Sequence, residues 1–303
     1  MIKKIVSTFV LTVFVLTLSA SSLVSAQQSG LQISPLTFNF ETDKGDRAEG
    51  KIVVTNLNNE AINYQIEAED FAKVSDEGAP SFAGVVASED LSTLSSWIEF
   101  LGEVSGQIAA MDSIDVNFVI DIPENAEPGG HYAAIFAKQT NEPEEGNTEI
   151  GVSSRVGTLI LVSVPGDVSK EVKISEFDPP SFLWRGPVDF TMKVENIGSV
   201  HYDSEATITI EPILGTDSEI AMGTHTIIPG NARNYEGSWN KRFPFGRYKA
   251  IAQATNGDGE VISTEKVIWA LPLEIVIPAL LLLIIIIWTV KHLKKKYRII
   301  SND

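Results

Sequence analysis

The chain has 303 residues and no cysteine, which excludes disulfides and thiolate zinc sites as supports for its folded parts. Its formal net charge is −17, from 40 Asp and Glu against 23 Lys and Arg. The imbalance is larger over residues 27–290, where 39 acidic and 16 basic side chains give a net charge of −23. Such a surface argues against binding nucleic acid through bulk electrostatics. It is compatible with a solvated surface, bound cations or a basic partner.

The N-terminus has the pattern of a secretory signal peptide. Lys3 and Lys4 precede the apolar run 5–18, and Val24-Ser25-Ala26 fits the small-residue pattern that signal peptidase cleaves. We therefore predict a signal peptide over residues 1–26, with a retained anchor as the alternative. The following residues, 27–270, are enough for two domains of ordinary size.

The first predicted domain, residues 27–166, contains short segments typical of strands. Residues 62–69 and 116–122 alternate between apolar and polar side chains, and residues 158–164 are almost wholly apolar. Turn-forming residues such as Pro128-Gly129-Gly130 separate these segments. The pattern predicts a sheet with one buried face and one solvated face.

Two segments interrupt this pattern. Residues 72–96 form a long polar connection, in which the spacing of Leu91, Leu94 and Ile98 predicts about one helical turn. Residues 139–146 form an acidic loop. Long loops at the edge of a sandwich carry binding sites or neutral insertions, and both interpretations stay open here.

The second predicted domain, residues 167–270, has the same character. Residues 188–195 and 207–211 alternate with a period of two, and Asn256-Gly257-Asp258-Gly259 is typical of a hairpin turn.

The two predicted domains resemble each other in sequence. Residues 130–135 and 246–251 share Gly, then Tyr two residues on, Ala four on and Ile five on. Asn56 before Tyr64 similarly parallels Asn196 before Tyr202. A Tyr just after a Pro/Gly corner is typical of the tyrosine corner of immunoglobulin-like sandwiches. We therefore predict structural roles for Tyr132 and Tyr248 in preference to ligand binding, and two tandem cysteine-free Ig-like β-sandwiches.

The segment 271–290 has the length and composition of a transmembrane helix. Fourteen of its twenty residues are Leu, Ile or Val, and twenty helical residues span roughly 30 Å, the thickness of a bilayer's hydrocarbon core. Trp269 and Trp288 flank it as interfacial anchors do. The basic tail 291–303 predicts a cytoplasmic C-terminus by the positive-inside rule. The protein is thus expected in the plasma membrane as a single-pass protein with both sandwiches extracellular.

No constellation of residues predicts catalysis, a cofactor or a metal site. The histidines form no metal-binding motif; they are His131, His201, His225 and His292. The Ser-x-x-Lys pairs at Ser238 and Ser263 fall in turn and strand segments, where they have no helix to bring them together. Asp-rich turns lack a calcium-binding loop and are interpreted as turn formers, with calcium left open. Trp97, Trp184 and Trp239 offer faces for sugar stacking, but two of the three are expected in the core.

The layout resembles that of the WxL-interacting cell-surface proteins of bacteria. The resemblance lies in the N-terminal Leu31-Gln32-Ile33-Ser34-Pro35, in Val53-Val54-Thr55-Asn56, in residues 123–130 with the strand that follows, and in the final apolar helix. It implies a first Ig-like domain that binds peptidoglycan, a second that engages a WxL protein, and a membrane anchor.

These observations lead to a hypothesis of a non-enzymatic, membrane-anchored surface protein that binds cell-wall polymer, another surface protein or both. The alternative is a membrane-tethered assembly chaperone that acts by β-strand complementation. A wall-active hydrolase has no supporting constellation in the sequence.

Overall fold

The structure is a computed structural model that describes residues 30–71, 73–82, 94–140 and 154–300. The predicted signal peptide and most of the acidic loop 139–146 lie outside these residues.

The first sandwich consists of two sheets and a small hairpin. The four-stranded sheet has the order β1-β3-β9-β7, the five-stranded sheet has the order β2-β11-β10-β4-β8, and β5 pairs with β6. The elements are β1 Leu31–Ser34, β2 Thr37–Glu41, β3 Arg47–Asn56, β4 Ile62–Asp70, β5 Lys73–Val74, β6 Pro80–Ser81, α1 Leu94–Trp97, β7 Ile98–Leu101, β8 Ser105–Ile108, β9 Ser113–Asp121, β10 Gly129–Thr140 and β11 Arg155–Val164.

The second sandwich also has two sheets. The three-stranded sheet has the order β12-β14-β17 and the five-stranded sheet has the order β13-β19-β18-β15-β16. The strands are β12 Val172–Phe177, β13 Phe182–Leu183, β14 Val188–Asn196, β15 Tyr202–Pro212, β16 Ser218–Ile227, β17 Ala232–Trp239, β18 Gly246–Thr255 and β19 Val261–Ala270.

Each sandwich has its own apolar core, built from the inward-facing residues of its alternating strands. Ile52, Phe118 and Ile135 are fully buried in the first. Phe190 and Ile208 are fully or almost fully buried in the second. The predicted all-β fold of two Ig-like sandwiches is therefore confirmed, and the predicted helical turn is α1, with Leu94 buried.

The two sandwiches begin in the same way. In each, the first strand pairs antiparallel with the strand of its own sheet that comes next along the chain, as β1 does with β3 and β12 with β14. The chain then crosses to the opposite sheet and adds a short strand parallel to its last strand, as β2 does with β11 and β13 with β19. The crossing ties the two layers of each sandwich together.

The final helix, α2 Leu273–Ile300, follows β19 after two residues. Its segment Leu273–Lys294 is long and apolar enough to cross a membrane, and its most apolar part is not buried by any described residue. The helix continues beyond Val290, where the predicted membrane segment ends. No Gly or Pro occurs between residues 291 and 300, and Lys and Arg are good helix formers, so nothing stops the helix at the basic residues.

Candidate functional site

Tyr132 lies at the joint between the two sandwiches. It stands near the start of β10, and its hydroxyl accepts a hydrogen bond from the backbone N–H of His201 at 3.0 Å. The same hydroxyl lies 3.2 Å from the Nδ1 of His201, and the Nε2 of His201 lies 2.8 Å from the Oδ1 of Asn39 in the first sandwich. His201 is thus held between two side chains of the other unit.

A neutral His201 satisfies this arrangement. If Nε2 carries the proton and donates to Asn39, Nδ1 is free to accept the proton of the Tyr132 hydroxyl. Burial lowers the pKa of His201 to about 4, against a smaller opposing effect of Asp203. Burial likewise raises the pKa of Tyr132, so both partners are uncharged at neutral pH.

Glycines allow the chain to approach closely at this joint. A Cβ at Gly130 would collide with the Tyr132 hydroxyl, and Gly129 adopts a φ of +128°. The Gly130 N–H donates to the Ser199 carbonyl of the second sandwich at 2.9 Å. The Pro-Gly-Gly corner therefore shapes the joint as well as the turn.

The hairpin formed by β5 and β6 lies against the second sandwich. The Val74 N–H donates to Oδ1 of Asn231 at 2.8 Å, and the Asn234 N–H donates to the Asp76 carbonyl at 2.9 Å. Lys193 forms an ion pair with the Asp76 carboxylate. Part of the polar connection 72–96 thus contacts the neighbouring unit, a role that lies outside both interpretations of that loop.

An apolar cluster joins the two units beneath these polar contacts. Phe71, Tyr132 and Leu161 of the first sandwich pack with Ile228 of the second, and all four are buried. The rings of Phe71 and Tyr132 are 5.9 Å apart. Burial of this cluster and the hydrogen bonds around it favour one fixed angle between the sandwiches.

A groove with a cavity of about 320 Å³ opens beside the joint. Phe71, Leu159 and Leu161 give it an apolar wall on the first sandwich. The facing wall comes from residues 224–228 and includes His225, with Arg233 at the side. Among the described residues, the buried Nε of Arg233 has no hydrogen-bond partner.

Both walls of the groove include an edge strand. β2 and β16 each stand at the edge of a five-stranded sheet, and Thr37 of β2 and Thr224 of β16 line the cavity. The Leu36 carbonyl and the Thr42 N–H bond to β11. Because backbone groups of a strand alternate in direction, those of Thr37 and Asn39 point away from β11. The groove therefore presents main-chain hydrogen-bond donors and acceptors beside its apolar wall.

Tyr248, the second predicted structural tyrosine, lies at the opposite end of the second sandwich. Its hydroxyl accepts a hydrogen bond from the Phe245 N–H, three residues upstream, at 3.0 Å, and its ring packs on Trp239 at 5.0 Å. The structure therefore does not bring Tyr132 and Tyr248 together. The structural roles of both tyrosines stay a prediction, which Tyr132→Phe and Tyr248→Phe test.

The described residues contain a Ser, a His and an Asp close together, but their geometry is structural. Asp70 accepts hydrogen bonds from the backbone N–H and the hydroxyl of Ser95, at 2.8 and 2.7 Å. His131 instead pairs through Nε2 with the Glu127 carbonyl. The hydroxyl that a nucleophile would need is bonded to the carboxylate. Asp70 accordingly holds the start of α1.

The part of the chain that the structure describes contains no group of three or more acidic or His side chains placed to hold a metal ion. No local pattern in the sequence indicates the residues that make the joint, above all His201, Asn39 and Asp76. Contacts across 69 and 162 residues leave no local periodicity. The Gly-x-Tyr similarity was the one signal that pointed to this region.

No family model matches the chain, and no curated protein matches it. Among solved structures it is similar to the class 5 fimbriae chaperone CfaA, with 12% identity over 78% of this chain and 99% of that chain and a TM-score of 0.41. It is also similar to a chain in the structure of the Salmonella enterica SafA pilin in complex with the SafB chaperone, with 12% identity over 80% of this chain and 99% of that chain and a TM-score of 0.37. The Pseudomonas aeruginosa CupB2 chaperone gives 9% identity over 78% and 100%, with a TM-score of 0.37. These values are too low to assign a function.

Proposed function

We propose that the chain is a non-enzymatic, membrane-anchored protein that holds two β-sandwiches outside the cell to bind another surface protein, cell-wall polymer or both. The observation that carries this proposal is the exposed apolar helix α2, which starts two residues after the last strand. Exposed Leu and Ile side chains over that length are stable in lipid and costly in water. The ion pair between Arg185 and Glu274 connects the sandwich to the first turn of the helix.

The charge distribution supports the orientation. Lys291 and Lys294 immediately follow the apolar segment, and three more basic residues stand between positions 295 and 298. Basic residues next to a spanning helix favour the cytoplasmic side. The sandwiches, which carry most of the acidic side chains, would then lie outside.

The groove at the joint supports a protein partner as the ligand of this site. An extended segment laid along β2 or β16 would satisfy main-chain groups at an open sheet edge, and the apolar wall at Phe71, Leu159 and Leu161 would bury alternate side chains. By the resemblance to WxL-interacting proteins, such a partner would be a WxL protein, with peptidoglycan as the polymer.

A membrane-tethered assembly chaperone is the second candidate, and the same open edges favour it. A chaperone lends its edge to an incomplete subunit and then releases that subunit to an assembly. A surface-binding protein keeps its partner. The lifetime of the complex therefore separates the two functions.

The topology is tested with protease added to intact cells that express the full chain with a C-terminal tag. We expect the sandwiches to be digested and a tagged fragment containing α2 to survive. Survival of the sandwiches with loss of the tag would contradict the proposed orientation.

The partner is tested by crosslinking on intact cells through single cysteines, which is clean because the chain has no other cysteine. Thr37→Cys and Thr224→Cys place a crosslinker in the groove, and Ser263→Cys on β19 is the matched exposed control. We expect the same partner at both groove positions and not at the control. Equal labelling at all three positions, or none at any, would exclude the groove. In a pulse-chase, a crosslink that persists supports surface binding, and one that disappears as the partner assembles supports the chaperone.

A further inference from the structure

The end of the second sandwich from which α2 leaves is built from three turns and the exit of β19. We call residues 182–187, 213–217, 240–247 and 269–272 the helix-proximal end. Backbone hydrogen bonds fasten these segments together: Leu271 N–H donates to the Leu183 carbonyl at 2.8 Å, Gly186 N–H to Arg242 at 3.1 Å and Ile213 N–H to Arg247 at 3.3 Å. They therefore form one surface around the start of the helix.

Exposed aromatic side chains of the second sandwich are concentrated on this surface. Between residues 172 and 270, every exposed Phe, Tyr or Trp lies at the helix-proximal end, namely Phe182, Trp184, Phe243, Phe245 and Trp269. Leu214 is 89% exposed at the tip of the neighbouring turn. The opposite end of the sandwich has instead the polar turn Asn256-Gly257-Asp258-Gly259.

This surface also has an unusual charge for an acidic protein. The loop 240–245 reads Asn-Lys-Arg-Phe-Pro-Phe, so Lys241 and Arg242 stand beside exposed aromatic rings with no carboxylate among them. Arg242 lies over the Phe243 ring at 5.1 Å, and Arg247 is exposed nearby. Asp217, in the turn at Leu214, is the acidic residue within these segments, and Glu274 in the first turn of α2 pairs with Arg185.

We propose that the helix-proximal end is a lipid-docking surface. Its aromatic and aliphatic tips enter the headgroup layer of the leaflet from which α2 starts, and Lys241, Arg242 and Arg247 contact the phosphates of anionic phospholipids. The proposal rests on the membrane anchoring proposed above. It adds that the sandwich lies against the bilayer instead of swinging on a tether.

The position and chemistry of this surface select lipid as the occupant. Only Leu271 and Pro272 separate β19 from α2, so the turns around the helix are held within a few residues of the bilayer. Trp and other aromatic rings favour the membrane interface, and basic side chains are attracted to anionic headgroups. Five aromatic rings exposed to water instead of lipid would gain no comparable stabilisation.

The test uses the full chain reconstituted in vesicles of phosphatidylcholine with phosphatidylglycerol. An environment-sensitive dye is attached through Leu214→Cys at the proposed contact, Asp258→Cys at the opposite end or Ile284→Cys in the middle of α2. Lipids that carry a quencher in the headgroup region report the depth of each dye. We expect several-fold stronger quenching at position 214 than at position 258.

The short connection to α2 would by itself keep Leu214 near lipid, so a second variant separates contact from proximity. This variant carries four substitutions in the Leu214→Cys background, which remove the proposed lipid contacts of the loop 240–245 without changing a buried residue. They are Lys241→Gln, Arg242→Gln, Phe243→Ser and Phe245→Ser. We expect most of the quenching at position 214 to be lost, and omission of phosphatidylglycerol to weaken it in the unsubstituted sequence.

The dye at position 284 tests the membrane anchor separately from the docking surface. Insertion at 284 with unchanged quenching at 214 in the four-residue variant would overturn the docking surface and leave the anchor intact. Absence of insertion at 284 would overturn the anchor and the docking surface with it.

Discussion

The two sandwiches use the same short sequence in different ways. Gly130-His131-Tyr132 opens β10, and Gly246-Arg247-Tyr248 opens β18, each a central strand of a five-stranded sheet. The hydroxyl of Tyr248 bonds to the backbone of its own turn, at Phe245. The hydroxyl of Tyr132 bonds to His201, in the other sandwich. The role of the hydroxyl is thus set by what lies beyond the strand end, which is a second sandwich in one case and the start of α2 in the other.

A second shared feature stays the same in both sandwiches. Asn56 ends β3 and Asn196 ends β14, and both are fully buried. Each donates from Nδ2 to the carbonyl four residues later, Glu60 or Val200, and each accepts from the N–H two residues later. These bonds remain within one sandwich, so the surroundings do not change them. The two sandwiches therefore share the hydrogen bonds by which a buried asparagine pairs with nearby backbone groups, whereas the tyrosine contacts differ between them.

The largest expected effect comes from replacing these asparagines. Asn56→Ala and Asn196→Ala each leave several buried backbone groups without partners, so we expect each to lower the free energy of unfolding of its own sandwich by about 3 kcal/mol. Hydrogen exchange measured by mass spectrometry on the full chain reports each sandwich separately. Thr55→Ala, next to Asn56 on an exposed part of the strand, is the control and should have a much smaller effect.

The two asparagine variants also show which sandwich loses protection from hydrogen exchange. Loss of protection confined to the substituted sandwich would agree with self-contained units. Equal loss in both sandwiches for either variant would contradict this, and would mean that the joint makes the chain unfold as one cooperative unit.

Replacing the tyrosines tests the difference between the sandwiches. Tyr132→Phe removes the acceptor of the buried His201 N–H and the partner of its Nδ1, and we expect a loss of about 2 kcal/mol. Tyr248→Phe removes one bond within a turn, and we expect about 1 kcal/mol. Small-angle scattering should show a broader range of angles between the sandwiches for Tyr132→Phe only. The same broadening in Tyr248→Phe would contradict a difference in role between the two tyrosines.

Strand patterns and the apolar helix could be predicted from the sequence because both depend on local periodicity. The alternation at 62–69 and 188–195 corresponds to β4 and β14, and the polar turn at Asn256 connects β18 to β19. The expectation that two of three tryptophans are inside is also met, since Trp239 is buried, Trp97 packs on the first core and Trp184 is 61% exposed.

The joint could not be predicted, because its contacts depend on how two finished sandwiches meet. Nothing near Asn39 or His201 in the sequence indicates that they are 2.8 Å apart. The connection 72–96 is similar, since its polar composition indicates a loop but not that its hairpin of β5 and β6 contacts the edge of β17. The aromatic and basic residues of the loop 240–245 were visible in the sequence, but their grouping with Trp184 and Leu214 required the fold.

The joint is also expected to depend on pH, with a smaller effect than that of Tyr132→Phe. Because burial lowers the pKa of His201 in the folded chain to about 4, from about 6.5 in the unfolded chain, folding favours the neutral form. The stabilisation is complete above pH 6.5 and declines as the pH falls towards 4, since protonation places a charge on a side chain that is buried away from water. By pH 5 we expect a loss of about 1 to 2 kcal/mol, moderated by the carboxylate of Asp203.

Limited proteolysis of the connection between the sandwiches, residues 165–171, measures this loss against pH. His201→Gln is the matched variant, because it keeps a polar side chain at the joint and does not titrate. The increase in cleavage between neutral pH and pH 5, corrected for protease activity, should be smaller in the variant than in the unsubstituted chain. Among the described residues Tyr248 has no histidine partner, so hydrogen exchange at its turn should be independent of His201 over the same range. Identical pH profiles of cleavage in the two chains would show that carboxylates elsewhere, and not this histidine, determine the acid sensitivity of the joint.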